Sequence, residues 1–116
     1  QFWAGFAPPQ ELRQWWRRLA DPSLWPNERL FFEIYAQALQ GRPGTTGLLE
    51  DVVDAWVDRV IELDLVIPGR TAAEARAEAR LGVAVIRGLL LDLLATGDRP
   101  AVDAALERYI ALQRLL

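Results

Sequence analysis

Apolar residues recur along this chain at the three- and four-residue spacing of amphipathic helices, and no segment shows the sustained two-residue alternation of a strand. Clusters of proline and glycine divide the pattern into five segments, each long enough for a helix. The pattern therefore predicts an all-α fold with helices over about 10–20, 27–40, 48–65, 71–95 and 100–116. Residues 1–7 are expected to be the end of a preceding helix.

The second and third predicted helices differ in how much of their surface is apolar. Asn27 follows Pro26 and is a candidate N-cap for the second helix, whose apolar residues cover more than half of its circumference. We expect that helix to be buried on more than one side. The third helix is amphipathic, and Asp51, Asp54, Asp58 and Glu62 recur opposite its apolar face. Such a stripe either binds a metal or repels anions, or it is a solvated face, and the solvated face is the more common case.

The fourth predicted helix has two apolar surfaces. Thr71 and Glu74 have the spacing of a capping box at its start, and Gly97 is placed to end it. One surface is bulky and comprises Val83, Ile86, Leu89, Leu90, Leu93 and Leu94; the other is mostly small and comprises Ala77, Ala84, Gly88 and Ala95, bordered by Leu81 and Leu91. A five-helix domain has one interior, so either the fifth helix or a second copy of the chain covers the small surface. A single central helix buried in a monomer is the third alternative.

The composition of the chain mainly argues against several classes of function. Hydrophobic residues make up 52% of the chain and charged residues 25%, as in ordinary globular proteins. The longest uncharged apolar run is far shorter than the ~20 residues that span a bilayer. A net charge of −3 disfavours direct contact with nucleic acid. The chain has no cysteine, no histidine and a single serine, so we expect no metal site, no cofactor and no enzymatic activity.

The aromatic side chains of the first three helices are either ordinary core or the walls of a small-molecule cavity. Large rings from adjacent helices readily leave a cavity between them, and binding cavities are mostly apolar with a few polar groups. The candidate ligand-binding residues are Trp16, Phe31, Tyr35, Trp56, Val60 and Ile86, with Arg59 and Arg87 nearby. Arg87 is flanked by apolar residues and needs a partner, for which Asp92 of a second chain or a carboxylate within the domain is a candidate.

Two stretches of the sequence, 19–22 leading into 29–39 and 89–98 leading into 102–106, resemble the C-terminal ligand-binding and dimerisation domain of TetR-family transcriptional regulators. In helix order and length the resemblance covers the single domain 1–116. It implies a small hydrophobic or aromatic effector and a homodimer held by a four-helix bundle of the last two helices. The dimer interface then comprises Leu81, Ala84, Gly88, Leu91, Asp92, Ala95, Val102, Leu106, Tyr109 and Gln113.

The resemblance also implies a cytoplasmic bacterial repressor that contacts operator DNA through an N-terminal helix-turn-helix. That domain is not in this sequence, which starts at Gln1 and contains no methionine, and we expect it upstream in a longer protein. The alternative is a stand-alone helical dimeric interaction module that binds no ligand.

Overall fold

The computed structural model describes residues 9–62 and 69–113, and within these ranges all regular structure is helical. The helices are α1 (Pro9–Leu19), α2 (Trp25–Leu39), α3 (Leu48–Glu62), α4 (Ala72–Thr96) and α5 (Arg99–Gln113), with a short 3-10 turn at Pro22–Leu24. The five predicted helical segments are confirmed. The predicted helix at 1–7 and the predicted ends of the third helix at 63–65 and of the fifth helix at 114–116 lie outside the described residues.

Helix α4 begins and ends as the sequence predicts. The hydroxyl of Thr71 accepts a hydrogen bond from the backbone N–H of Glu74 at 3.1 Å, and the Glu74 carboxylate accepts one from the backbone N–H of Thr71 at 2.9 Å. Both donors would otherwise have no partner at the start of a helix. At the other end Gly97 has a φ of +68° and donates its N–H to the carbonyl of Leu93. Glycine adopts this left-handed conformation without steric cost, which ends the helix.

The start of α2 differs from the prediction. Asn27 is not the N-cap, because the helix begins two residues earlier, at Trp25. The carboxylate of Asp21 accepts a hydrogen bond from the backbone N–H of Ser23 at 2.9 Å and caps the short 3-10 turn that leads directly into α2. Pro26 fits the first turn of α2 because the N–H it lacks has no acceptor there.

The core forms two clusters that meet along α4. The larger cluster joins α1, α4 and α5 and comprises Leu12, Trp16, Ala20, Ile86, Leu90, Leu93, Val102, Leu106 and Ile110. The smaller joins α3 to the first half of α4 and comprises Val57, Val60, Ala79 and Val83. The bulky surface predicted on α4 thus faces the interior. Tyr109 of α5 lies beside Gly82 of α4, while Leu93 and Val102 share a cluster, so the two helices run antiparallel.

The prediction that α2 is buried on more than one side is wrong. No residue of α2 is fully buried, and Leu30, Ile34 and Leu39 are 54, 40 and 66% exposed. Only its Phe31, Phe32 and Tyr35 side packs inward, toward α3 and α4. The apolar arc of a helix wheel shows what can be buried, but not how much of it a neighbour covers.

Polar contacts tie the helices together at the surface. Arg13 of α1 donates to both carboxylate oxygens of Glu107 on α5, at 2.6 and 2.7 Å. The acidic stripe of α3 is partly engaged in the same way, because Arg76 of α4 donates to Asp58 at 2.7 Å and to Asp54 at 3.5 Å. Exposed pairs of this kind contribute little to stability each, and they show which helices are neighbours. Within the described ranges no helix combines the length and the apolar character that a membrane crossing requires.

Candidate ligand-binding cavity

A cavity of about 290 Å³ lies between α1, α2, α3 and α4. Its walls are mostly apolar, with three charged side chains among them. The lining residues are Trp15, Leu19, Glu28, Phe31, Phe32, Trp56, Arg59, Val83, Ile86, Arg87 and Leu90. This volume is at the lower end of the ~300–1,000 Å³ typical of ligand sites, so the cavity suits a molecule of one or two rings.

Phe31 is the centre of the aromatic wall. Its ring lies 5.3 Å from that of Phe32 and 5.8 Å from that of Tyr35, both edge-to-face, and 5.2 Å from the tilted ring of Trp56. Phe31 and Tyr35 meet because residues four positions apart share one face of α2, and Phe32 contacts Phe31 as its neighbour in the chain. Trp56 reaches them from α3, and the rings together form a rigid apolar surface on one side of the cavity.

The structure brings together part of the predicted ligand-binding set. Phe31, Trp56 and Ile86 line the cavity, and Tyr35 contacts Phe31 from behind the wall. Trp16 and Val60 do not line the cavity; they are 2 and 7% exposed and are buried in the two core clusters. Trp16 turns away because its indole N–H donates to the carboxylate of Asp103 on α5, at 2.8 Å.

Six lining residues were absent from the named candidates: Trp15, Leu19, Glu28, Phe32, Val83 and Leu90. Trp15 and Phe32 belong to the aromatic side chains of the first two helices, from which the candidates were chosen. Glu28 could have been found, because it lies three residues before Phe31 and therefore on the same face of α2. Leu19, Val83 and Leu90 had no such signal, since each belongs to an apolar face that the sequence assigns equally well to core.

The charged side chains of the cavity wall occupy different environments. Burial raises the pKa of the Glu28 carboxyl above its ordinary value. Arg59 is 66% exposed and lies 3.6 Å from Glu62, so it stands at the mouth in solvent. The Arg87 guanidinium carbon lies 5.8 Å from the ring centroids of both Tyr35 and Trp56, within cation–π range.

Arg87 has no carboxylate partner within residues 9–62 and 69–113, so the described part of the domain does not supply the predicted intramolecular pair. Its Nη1 atom is buried and donates no hydrogen bond to any group in these ranges. Asp92 lies exposed on α4. The pairing of Arg87 with Asp92 of a second chain stays a prediction.

The small surface of α4 is open to solvent. Leu81 and Leu91 are 55 and 48% exposed, and we name the exposed set the outer face of α4: Leu81, Ala84, Gly88, Leu91, Asp92 and Ala95. The fifth helix therefore does not cover it. Val102 and Leu106, also predicted at a dimer interface, are instead buried inside the chain, because α1 packs on that side of α5. Tyr109 and Gln113 are half-buried.

The half-buried hydroxyl of Tyr109 leads us to expect that the chain loses stability at alkaline pH. Burial, and secondarily the charge of Glu78, raise its pKa from 10.0 to about 12. An unfolded chain ionises this tyrosine near pH 10, so the stabilisation is complete below pH 10 and is lost as the pH rises toward 12. The expected loss is on the order of 1 kcal/mol, because solvent partly screens the half-buried hydroxyl. The chain has no lysine that would titrate in this range.

Urea unfolding of Tyr109→Phe and of Tyr35→Phe between pH 9.5 and 12 checks this assignment. The Tyr109 variant is expected to lose much of the pH dependence, and the Tyr35 variant to keep it. If the free energy of unfolding falls equally with pH in the two variants, the role of Tyr109 is contradicted.

Within the described part of the chain, no group of three or more acidic side chains could hold a metal ion. Comparisons with models of protein families, with curated proteins and with solved structures found no match for this chain. The resemblance to TetR-family regulators thus rests on the residues that carry it.

Proposed function

We propose that this chain is the effector-binding and dimerisation domain of a TetR-like transcriptional regulator. The observation that carries the proposal is the cavity between α1, α2, α3 and α4, which combines aromatic walls with a few charged groups. Among the lining residues that the structure describes, only Glu28 carries a carboxylate, whereas acid–base catalysis by carboxylates usually needs a pair. A binding function therefore suits the cavity better than a catalytic one. The outer face of α4 provides the second element, an exposed apolar surface for another copy of the chain.

The cavity suggests how ligand binding would be transmitted. Trp15 and Leu19 belong to α1, so a ligand in the cavity contacts the helix that follows the N-terminal segment of the chain. A ligand that binds more tightly to one placement of α1 shifts the population toward that placement. In the proposed regulator this shift reaches a helix-turn-helix domain outside this sequence and releases it from operator DNA.

A stand-alone dimeric interaction module is the second candidate. The exposed outer face of α4 favours it as much as it favours a regulator, since both require a dimer. The two functions differ in the cavity, because an interaction module has no need to bind a small molecule.

Binding of one- and two-ring aromatic compounds tests the proposal. We expect members of a panel of aromatic acids, amides and alcohols to raise the melting temperature of the chain, and calorimetry to give one ligand per chain. A ligand at a hundred times its Kd stabilises the folded state by about 2.7 kcal/mol, which a thermal shift readily detects. A panel without any stabilising compound would leave the interaction module as the better candidate.

A further inference from the structure

Arg87 is the one charged side chain of the cavity wall that combines a deep position with an unused donor. It is half-buried on α4, and its Nη1 atom is shielded from solvent without a hydrogen-bond partner among the described residues. Arg59, in contrast, stands in solvent beside Glu62. Glu28 can accept hydrogen bonds but carries the opposite charge.

A buried cationic donor without an acceptor is costly. Hydrogen bonds to charged groups contribute more than neutral ones, and leaving such a donor unpaired forfeits the water that solvated it. The rings of Tyr35 and Trp56 at 5.8 Å compensate in part through their π faces, but they accept no conventional hydrogen bond from Nη1. Arg87 therefore lies beside an aromatic wall without an anionic partner among the described residues, because Glu28 lines the same cavity but forms no ion pair with it.

We propose that the cavity binds an aromatic carboxylate of one or two rings, whose ring packs against Phe31 and Trp56 and whose carboxylate is bound by the Arg87 guanidinium. This inference rests on the proposed function of the cavity as the effector site. Arginine presents a planar fork of N–H donors that matches a carboxylate in two parallel hydrogen bonds. Because Nη1 is covered by protein atoms, a change of the Arg87 side-chain torsions accompanies binding.

The charges of the cavity wall agree with a single negative charge on the ligand. Two arginines and one glutamate line the cavity, which leaves one positive charge in excess. The raised pKa of Glu28 means that its negative charge is also the more readily lost when another anion comes near. A neutral aromatic ligand would fill the same volume but would offer Arg87 at most a neutral acceptor, without a charge-assisted hydrogen bond.

A matched pair of probes, 2-naphthoate and 2-naphthamide, tests the inference by calorimetry at neutral pH. The two share one ring system and differ in charge. We expect 2-naphthoate to bind about tenfold more tightly or better, as a charge-assisted hydrogen bond to Arg87 predicts. In Arg87→Met the preference should fall to within about twofold, whereas Arg80→Met, an exposed arginine on the same helix, should keep it.

The outcomes separate the two levels of the proposal. Equal binding of the two probes to the unmodified chain, or tighter binding of 2-naphthamide, would overturn the carboxylate inference and leave the effector site standing. Binding of neither probe, together with an inactive panel, would overturn both. If Arg87→Met does not fold by circular dichroism, Arg87→Lys keeps the charge but not the fork, and an intermediate preference supports the assignment. A full preference that is unchanged in the folded Arg87→Met chain also overturns it.

Discussion

Replacing Trp16 with alanine is expected to lower the free energy of unfolding by about 3–5 kcal/mol, the largest effect of any single substitution proposed for this chain. Among the described residues Trp16 is the largest fully buried side chain, 2% exposed, at the contact of α1 with α4 and α5. Its loss leaves a cavity in the larger core cluster. It also removes the donor to Asp103, which then keeps only its bond from Arg99 at 2.8 Å.

Trp16→Phe separates the effect of the lost ring volume from that of the lost hydrogen bond to Asp103. Phenylalanine keeps most of the ring volume and loses the indole N–H, so we expect a cost nearer 1–2 kcal/mol, from the lost hydrogen bond and a smaller cavity. Leu39→Ala is the surface control, since that side chain is 66% exposed, and it should change stability by less than about 0.5 kcal/mol. Urea denaturation at one fixed protein concentration measures all three. A cost for Trp16→Ala no larger than that of the surface control would mean that α1 does not pack as described.

Replacing Gly88 with arginine is expected to abolish a dimer formed through the outer face of α4. Gly88 lies at the middle of that face, and a Cβ added there meets nothing within 4 Å, so the single chain has room for a side chain. If a second helix packs closely on Gly88, no room is left for a side chain there. We expect the Kd of dimer dissociation to rise at least about 100-fold, because the new guanidinium would be buried without a partner.

The same substitution should leave the folded monomer intact. Arginine has a higher helix propensity than glycine, so the dilute chain is expected to gain about 0.5–1 kcal/mol of stability while it loses the dimer. Ala55→Arg, at an exposed position of α3, is the matched control that adds the same charge elsewhere. Analytical ultracentrifugation over a range of concentrations measures the dimer, and chemical denaturation of the dilute chain measures the monomer. A dimer that survives Gly88→Arg does not use the outer face of α4.

The candidate site could be predicted only in part, and the reasons are specific. Phe31, Tyr35 and Trp56 were found because large rings at helical spacing point to one face, and the structure does bring them together. Val60 and Trp16 also lie on the apolar faces of their helices, as Phe31 does, yet they belong to the core. Helix packing turns Val60 away from the cavity, and the hydrogen bond to Asp103 turns Trp16 away. Val83 and Leu90 are 5 and 6% exposed and belong to the core clusters, and they also line the cavity because of how α1, α2 and α3 pack around α4.

The sequence by itself determined the five helices and the two ends of α4. Helical spacing, the Thr71–Glu74 capping box and the left-handed Gly97 act within a few residues of the chain, so local pattern suffices to locate them. It also determined that α4 has one bulky and one small apolar surface, because that depends only on the residues along one helix.

The tertiary structure decided which surfaces are covered. Helix α1 packs against α5 and buries Val102 and Leu106, α2 stays half exposed, and the outer face of α4 stays open. These outcomes depend on contacts between residues far apart in the chain, where several arrangements bury similar apolar area, and only side-chain packing and a few polar contacts such as Arg13–Glu107 distinguish between them.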